Sequence, residues 1–287
     1  MRVERDARCK ADFNDWRNNR VEQLTYRSVT QYDELRQLSE LQGTTWPSEM
    51  FTSAAQMKAA VLHGGSVIAV YDDGKPAGFC YGFSAYDGKE PYLHSHMMVV
   101  HPDYRNRGLG TRLKLEQRLW AIERGYSAIT WTYDPFQLRN GFLNVCKLGG
   151  SVNVYMHAVY GTDRHEDPSD RFLVRWELAS PRVRAAIRGE YAADRRWTGY
   201  SVLLGDVEKH DVHPPGLERN FNGEGYLLAV PRDAAKIKER DPAVIAAWKQ
   251  RLRELCEQAF SRSYRIVGLL PGDDAISYYV LEGEQKR

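Results

Sequence analysis

The stretch YLHSHMMVVHPDYRNRGLG, residues 92–110, decides how this chain is read. Leu93 to Val100 has the apolar run of a strand, Pro102 marks a turn, and a loop rich in arginine and glycine then opens a helix. In that helix Leu113, Leu115, Leu119 and Ile122 stand at helical spacing, with Arg112, Lys114, Glu116, Arg118 and Glu123 between them, and Gly125 follows at the expected C-terminus. A tight loop leading into a helix presents several backbone N–H groups and the positive end of the helix dipole at one place, which suits a phosphate or pyrophosphate. Gly108 and Gly110 let the main chain approach such an anion closely, and Arg105 and Arg107 add charge at the rim.

The loop is not the three-glycine dinucleotide fingerprint, and it lacks the Gly-Lys-Ser/Thr of a P-loop. Arg105-Asn106-Arg107-Gly108-Leu109-Gly110 resembles instead the Arg/Gln-x-x-Gly-x-Gly/Ala loop of the GNAT (Gcn5-related) N-acyltransferases, and the Val99-Val100-His101-Pro102 step before it is similar to theirs as well. The resemblance covers about Leu24 to Leu178. It implies a mixed α/β sheet of the GNAT acyltransferase fold, with acetyl-CoA or another acyl-CoA as co-substrate and no metal. It further implies that Arg105, Asn106, Arg107, Gly108, Leu109, Gly110 and Thr111 hold the pyrophosphate. The strand backbone at Met98, Val99 and Val100 would take the thioester carbonyl and pantetheine, with Asn140, Asn144 and Lys147 on a later helix also contacting the cofactor.

Acyl transfer to an amine makes chemical demands. A free alkylammonium has a pKa of roughly 10, so a base must take a proton before the nitrogen can attack a thioester. His94 and His96 alternate along the strand, which places both on one face together with Met98 and Val100. Imidazole titrates nearest working pH. The His-x-His at this offset from the loop is similar to that of the arylalkylamine N-acetyltransferases, which implies a proton relay in which His96 lies nearer the thioester and His94 farther out. Each histidine taken alone reads rather as a buried side chain hydrogen-bonded to a neighbouring strand, and it is the pair on one face that points to the relay. The tyrosine that many GNATs use as acid to the leaving thiolate is replaced here by Val145; Tyr133, Tyr155, Asn144, Cys146 or a water are the substitutes left open.

Composition bounds the rest. The 287 residues carry a net charge of +2 and a pI near 8.3, which gives no electrostatic case for nucleic acid or a membrane surface. Cys9, Cys80, Cys146 and Cys256 fit no metal-ligand spacing, no apolar run spans a bilayer, and the charged start has no signal-peptide core. A reduced, cytoplasmic protein is the expectation.

Working outward, Met1 to Glu22 reads as a charged arm, Leu24 to Val29 as a strand, and Tyr32 to Leu41 and Ala54 to His63 as helices. Trp46, Met50 and Phe51 lie in the loop that lines the acceptor pocket in GNATs. Asp72-Asp73-Gly74-Lys75 joins strands Ser66 to Tyr71 and Pro76 to Ser84 as a hairpin. Downstream come a strand from Ala128 to Tyr133, a helix from Gln137 to Leu148, and strands Val152 to Tyr160 and Arg171 to Leu178. Asp134 before Pro135 reads as a turn or cap, and Asp170 and Arg171 as an internal ion pair. From Ser180 the character changes. Arg182 to Arg196 is basic and helical, Tyr226 to Val230 a strand, and Asp241-Pro242 opens a helix with Ile245, Trp248, Leu252, Leu255 and Ala259 on one stripe. Tyr264 to Leu270 and Ala275 to Leu281 are strands. The expected organisation is thus an arm over 1–23, a GNAT domain over 24–180 and a smaller C-terminal α/β extension over 181–287.

The resemblance implies an N-acyltransferase acting on a small-molecule amine or amino acid, with acetyl or succinyl as the acyl group and a homodimer left open. The alternatives are a CoA-binding module without turnover and an O-acyltransferase.

Overall fold

The computed structural model describes residues 24–162, 167–190, 195–203, 221, 223–272 and 275–283. The charged arm expected over 1–23 lies outside them. The chain divides into two compact units, Met1–Thr130 and Trp131–Arg287.

In the first unit the strands run in the spatial order β1 (Thr25–Ser28), β2 (Ser66–Asp72), β3 (Lys75–Tyr86), β4 (Pro91–Val100) and the start of β5 (Ala128–Tyr133). The β2–β3 hairpin closes on Asp73 and Gly74, both at positive φ (49° and 79°), the backbone that matches the twist of the flanking strands. Helices α1 (Tyr32–Leu41) and α2 (Ala54–Leu62) bury Leu35, Leu38, Leu41 and Met57 against Val67, Ala69, Phe79, Tyr81 and Val99. Ser53 caps α2 by accepting from Gln56 N–H at 3.1 Å.

Helix α3 (Leu109–Glu123) departs from the expected stripe. Its buried side is Leu109, Leu113, Lys114, Gln117, Trp120 and Ala121, while Leu119 and Ile122 are 50% and 42% exposed. Two polar residues therefore occupy core positions and two apolar ones face outward. The reason is phase: the helix starts at Leu109, and 109, 113, 117, 120 and 121 follow one face from there.

The second unit orders its remaining strands β7 (Arg171–Glu177), β6 (Ser151–Met156), β10 (Tyr264–Pro271), β11 (Ile276–Gly283), β9 (Gly225–Pro231) and β8 (Ser201–Val202). The helix expected over 137–148 is instead a short α4 (Leu138–Gly141) that widens into a π-helix over Phe142–Lys147. Arg182 completes its end by donating to Val145 O at 2.9 Å and Gly149 O at 3.1 Å. Strand β6 stops at Met156 rather than reaching Tyr160. Helix α5 (Pro181–Ile187) covers only the start of the basic segment, whose residues 191–194 lie outside the description. Pro231 ends β9 from inside the strand. A helix not foreseen, α6 (Ala234–Arg240), precedes α7 (Pro242–Ser261), which buries Ile245, Trp248, Leu252, Leu255 and Ala259 as its stripe predicts.

Candidate active site

The site is built on one irregularity in the β3–β4 ladder. Gly82 pairs with Ser95 but Tyr81 pairs with Met97, so His96 is an extra residue with no partner of its own on β3. This is a β-bulge, and it resets which side chains share a face. His94 pairs with Phe83, and Met97 and Val99 continue on that face opposite Tyr81 and Phe79. Ser95, Met98 and Val100 pair with Gly82, Cys80 and Gly78 on the other face. The histidines do share a face: the Phe83 ring lies 5.2 Å from His94 and 6.0 Å from His96, and Tyr81 meets His96 edge-on at 6.2 Å. Met98 and Val100 do not share it. Strict alternation from His94 misplaces both, because it counts through the bulge.

On its other edge β4 pairs with β5 in parallel at Leu93↔Ile129 and His94↔Thr130. That ladder is two residues long, so it does not consume the backbone groups of Ser95 to Val100. His94 Nδ1 and Thr130 Oγ1 are hydrogen-bonded at 2.9 Å, which fixes the ring's orientation. Burial, aided by neighbouring His96 and Lys114, pushes the His94 imidazole down to about 4. His96 is exposed on one side, and its burial against Tyr81 and Phe83 on the other lowers its imidazole too. Both rings are therefore neutral at pH 7.

The loop after β4 is shaped as a concave turn of backbone. Asn106 and Gly108 both take the left-handed conformation, with φ of 64° and 80°. Gly108 is the N-cap of α3 and brings no side chain to the first turn, whose N–H groups at Leu109, Gly110 and Thr111 precede the first helical acceptor bond, Arg112 N to Gly108 O at 3.1 Å. A Cβ on Gly110 would come 3.3 Å from Met98 Cε, so this glycine serves a close approach between helix and strand. Arg105 donates from Nε to Val100 O at 3.2 Å and from Nη2 to Thr45 Oγ1 at 3.1 Å. Arg107 lies over the Tyr104 ring at 5.4 Å, and Tyr104 donates to Asp72 Oδ2 at 2.6 Å, a bond that raises the phenol above its usual value. The two arginines are thus held beside the open helix end. In the loop between α1 and α2 Met50 is exposed and Trp46 packs on the core of the two helices.

Sequence reasoning missed the pair behind the bulge. Lys114 is only 4% exposed and donates from Nζ to Ser95 Oγ at 2.6 Å, with Gln117 Oε1 at 3.5 Å. Gln117 Nε2 in turn donates to Ser66 Oγ at 3.2 Å. Gly82 opposite Ser95 was the available signal, since a glycine inside a strand marks a bulge or a close approach. A Cβ there would meet His94 O at 2.8 Å, Ser95 Cα at 3.2 Å and Gln117 Nε2 at 3.3 Å.

The other candidates lie in the second unit. Asn140 is exposed on α4, and Lys147 reaches over the Phe142 ring at 5.8 Å. Asn144 is buried in the π-helix, where its Oδ1 accepts from Trp131 Nε1 at 3.1 Å. Tyr155 donates to Asp170 Oδ2 at 2.7 Å, and Tyr133 is buried and raised far above its usual range by desolvation. The expected Asp170–Arg171 ion pair does not form between side chains. Asp170 takes Tyr155, His157 Nδ1 at 2.7 Å and Ala158 N at 3.0 Å, and Arg171 donates to the Asp170 backbone carbonyl. Asp134 accepts from Phe136 N at 2.8 Å as a turn residue, as expected. Among the described residues no group of His, Cys, Asp and Glu is arranged to hold a metal, and no helix is long and apolar enough to cross a membrane.

Residues 32–140, which include the bulged strand and the whole glycine loop, match the model of the Acetyltransferase (GNAT) family. That stretch, residues 32–140, is a GNAT acetyltransferase domain. Solved GNAT structures resemble it at low identity. The ribosomal-protein-S18-alanine N-acetyltransferase of Escherichia coli is 16% identical with a TM-score of 0.46, over 55% of this chain and 95% of its own. A GNAT-family acetyltransferase of Streptococcus pneumoniae is 16% identical at a TM-score of 0.44, over 53% and 97%. A candidate acetyltransferase of Salmonella typhimurium, solved with its cofactor acetyl-CoA, is 19% identical at 0.46, over 55% and 98%. No curated protein matches the chain.

Proposed function

We propose that the protein transfers an acyl group, acetyl in the first place, from acyl-CoA to the amine of a small molecule or amino acid. The observation that carries the reading is the uncapped α3 N-terminus, with Gly108 at φ 80° and Arg105 and Arg107 beside it, placed directly after a bulged strand that presents two neutral histidines. Pyrophosphate binds the N–H groups of Leu109, Gly110 and Thr111 and the arginine heads, and the thioester lies along the β4 edge from Met98 to Val100.

The amine nitrogen attacks the thioester carbon, the C–S bond breaks, and the acyl carbonyl re-forms as an amide. Of the two protons an alkylammonium loses, one leaves through a base and the other ends on the CoA thiol. Proton affinity orders the histidines. His94 is half-buried and holds a proton poorly, so His96, which is open to solvent, takes the proton and releases it, while His94 stays neutral on Thr130. Backbone N–H groups of the β4 edge stabilise the oxyanion.

Calorimetric titration with CoA, acetyl-CoA and succinyl-CoA tests the donor site, and an amine panel with thiol detection then tests transfer. Binding is expected, strongest for the acyl donor used, and Arg105→Ala weakens it by about tenfold. Absence of binding by all three removes the reading. Turnover undiminished in His96→Ala removes His96 from the chemistry.

A further inference from the structure

A lysine ammonium and a glutamine amide stand at core positions of α3, against β2, β3 and β4, where the rest of the helix face is apolar. Burying such groups costs stability, and a fold keeps them where they set a geometry that apolar packing would leave loose. Their partners identify that geometry. Lys114 Nζ holds Ser95 Oγ at 2.6 Å, and Ser95 stands between the two histidines, on the strand residue just before the bulge. Gln117, 3.5 Å from Lys114 Nζ, reaches Ser66 on β2, so the network ties the helix to two strands. Gly82 leaves the space in which it fits.

We propose that Lys114 and Ser95 are positioning residues: from behind the sheet they hold β4 in the bulged register that turns His94 and His96 to one face. The inference rests on the reading of those histidines as the proton-handling pair. The ammonium has a second effect through its charge, which disfavours a second positive charge on His94. The titratable groups around these sites are few. His94 faces His96 and Lys114; Lys114 faces Cys80 of β3, whose thiol burial pushes up to about 12 and which donates to Leu113 O. Burial brings Lys114 itself down to about 8.

The test reads the histidine rings directly and needs no acceptor. Ring-proton and ring-nitrogen NMR of the full chain is followed against pH in wild type, Lys114→Met and Ser95→Ala, with His94→Gln and His96→Gln giving the assignments. Lys114→Met is expected to raise the His94 midpoint by about half a unit and to move the ring shifts of both histidines. Ser95→Ala is expected to move the ring shifts while leaving the charge in place, so a smaller midpoint change. Should Lys114→Met not fold, Ser95→Ala decides alone. Unchanged His94 and His96 signals in the variants overturn the proposal. If the rings move but turnover in His96→Ala is undiminished, the positioning stands and the proton-handling reading fails.

Discussion

At the scale of single residues, burial keeps two neighbouring imidazoles uncharged at pH 7. His94 has an ordinary value of 6.5 and is held near 4 in the fold. Between these limits the unfolded chain takes up a proton on this ring that the folded chain refuses, so stability falls as pH drops through that window and is unaffected above it. The loss reaches on the order of 3 kcal/mol at the lower end. Urea midpoints at pH 7 and pH 4.5 should therefore differ less in His94→Gln than in wild type; equal differences would show that the ring is not desolvated. Part of this was legible in the sequence. The His-x-His spacing predicted the common face of the two rings, on both of which Phe83 packs, but not that Met98 and Val100 leave it. Lys114 was not legible: its charge placed it on the solvent side of any helical wheel, and only the helix phase set at Leu109 turns it inward. Asn144 shows the same limit, since a buried hydrogen bond to Trp131 leaves no trace in local spacing.

Among elements, β4 and the start of α3 position every residue of the first unit's site. The sequence located both within a residue or two, since Pro102 and Gly108 punctuate them. It did not locate the bulge, because Met97, Met98, Val99 and Val100 are all apolar and alternation after His96 cannot be read. Gly82 is where the bulge is most sensitive. A methyl group there would stand 2.8 Å from His94 O and 3.2 Å from Ser95 Cα, both main-chain atoms that cannot swing aside. Gly82→Ala is expected to destabilise by about 1–3 kcal/mol and to shift the His94 and His96 ring signals together. Guanidinium unfolding at constant m-value measures the first effect. A neutral result would mean that the strands can part at no cost. The π-helix at Phe142–Lys147 escaped sequence reasoning for a different reason: its residues form an acceptable α-helix, and Arg182, which donates to Val145 O and Gly149 O, comes from a distant segment of the chain.

For the molecule as a whole, two compact units mean that a single melting temperature does not define stability. Ligand linkage is better followed region by region. At a hundred times its dissociation constant acetyl-CoA stabilises the state it binds by about 2.7 kcal/mol. Hydrogen exchange is expected to slow most over residues 95–111, the strand edge and glycine loop, and a uniform slowing along the chain would place binding elsewhere. The same arithmetic separates donor from acceptor: an amine that binds only the loaded enzyme adds protection only when acyl-CoA is present.

The bulge also bears on how such a strand is acquired. With His96 removed, Ser95 and Met97 become neighbours, and Leu93 through Val100 alternates without interruption, each remaining side chain on the face it already occupies. His96 is thus one added residue that the ladder accommodates without changing the face of any other position. Deleting His96 should leave a regular, foldable strand, so a plain ladder and one that brings two imidazoles to one face differ by a single residue.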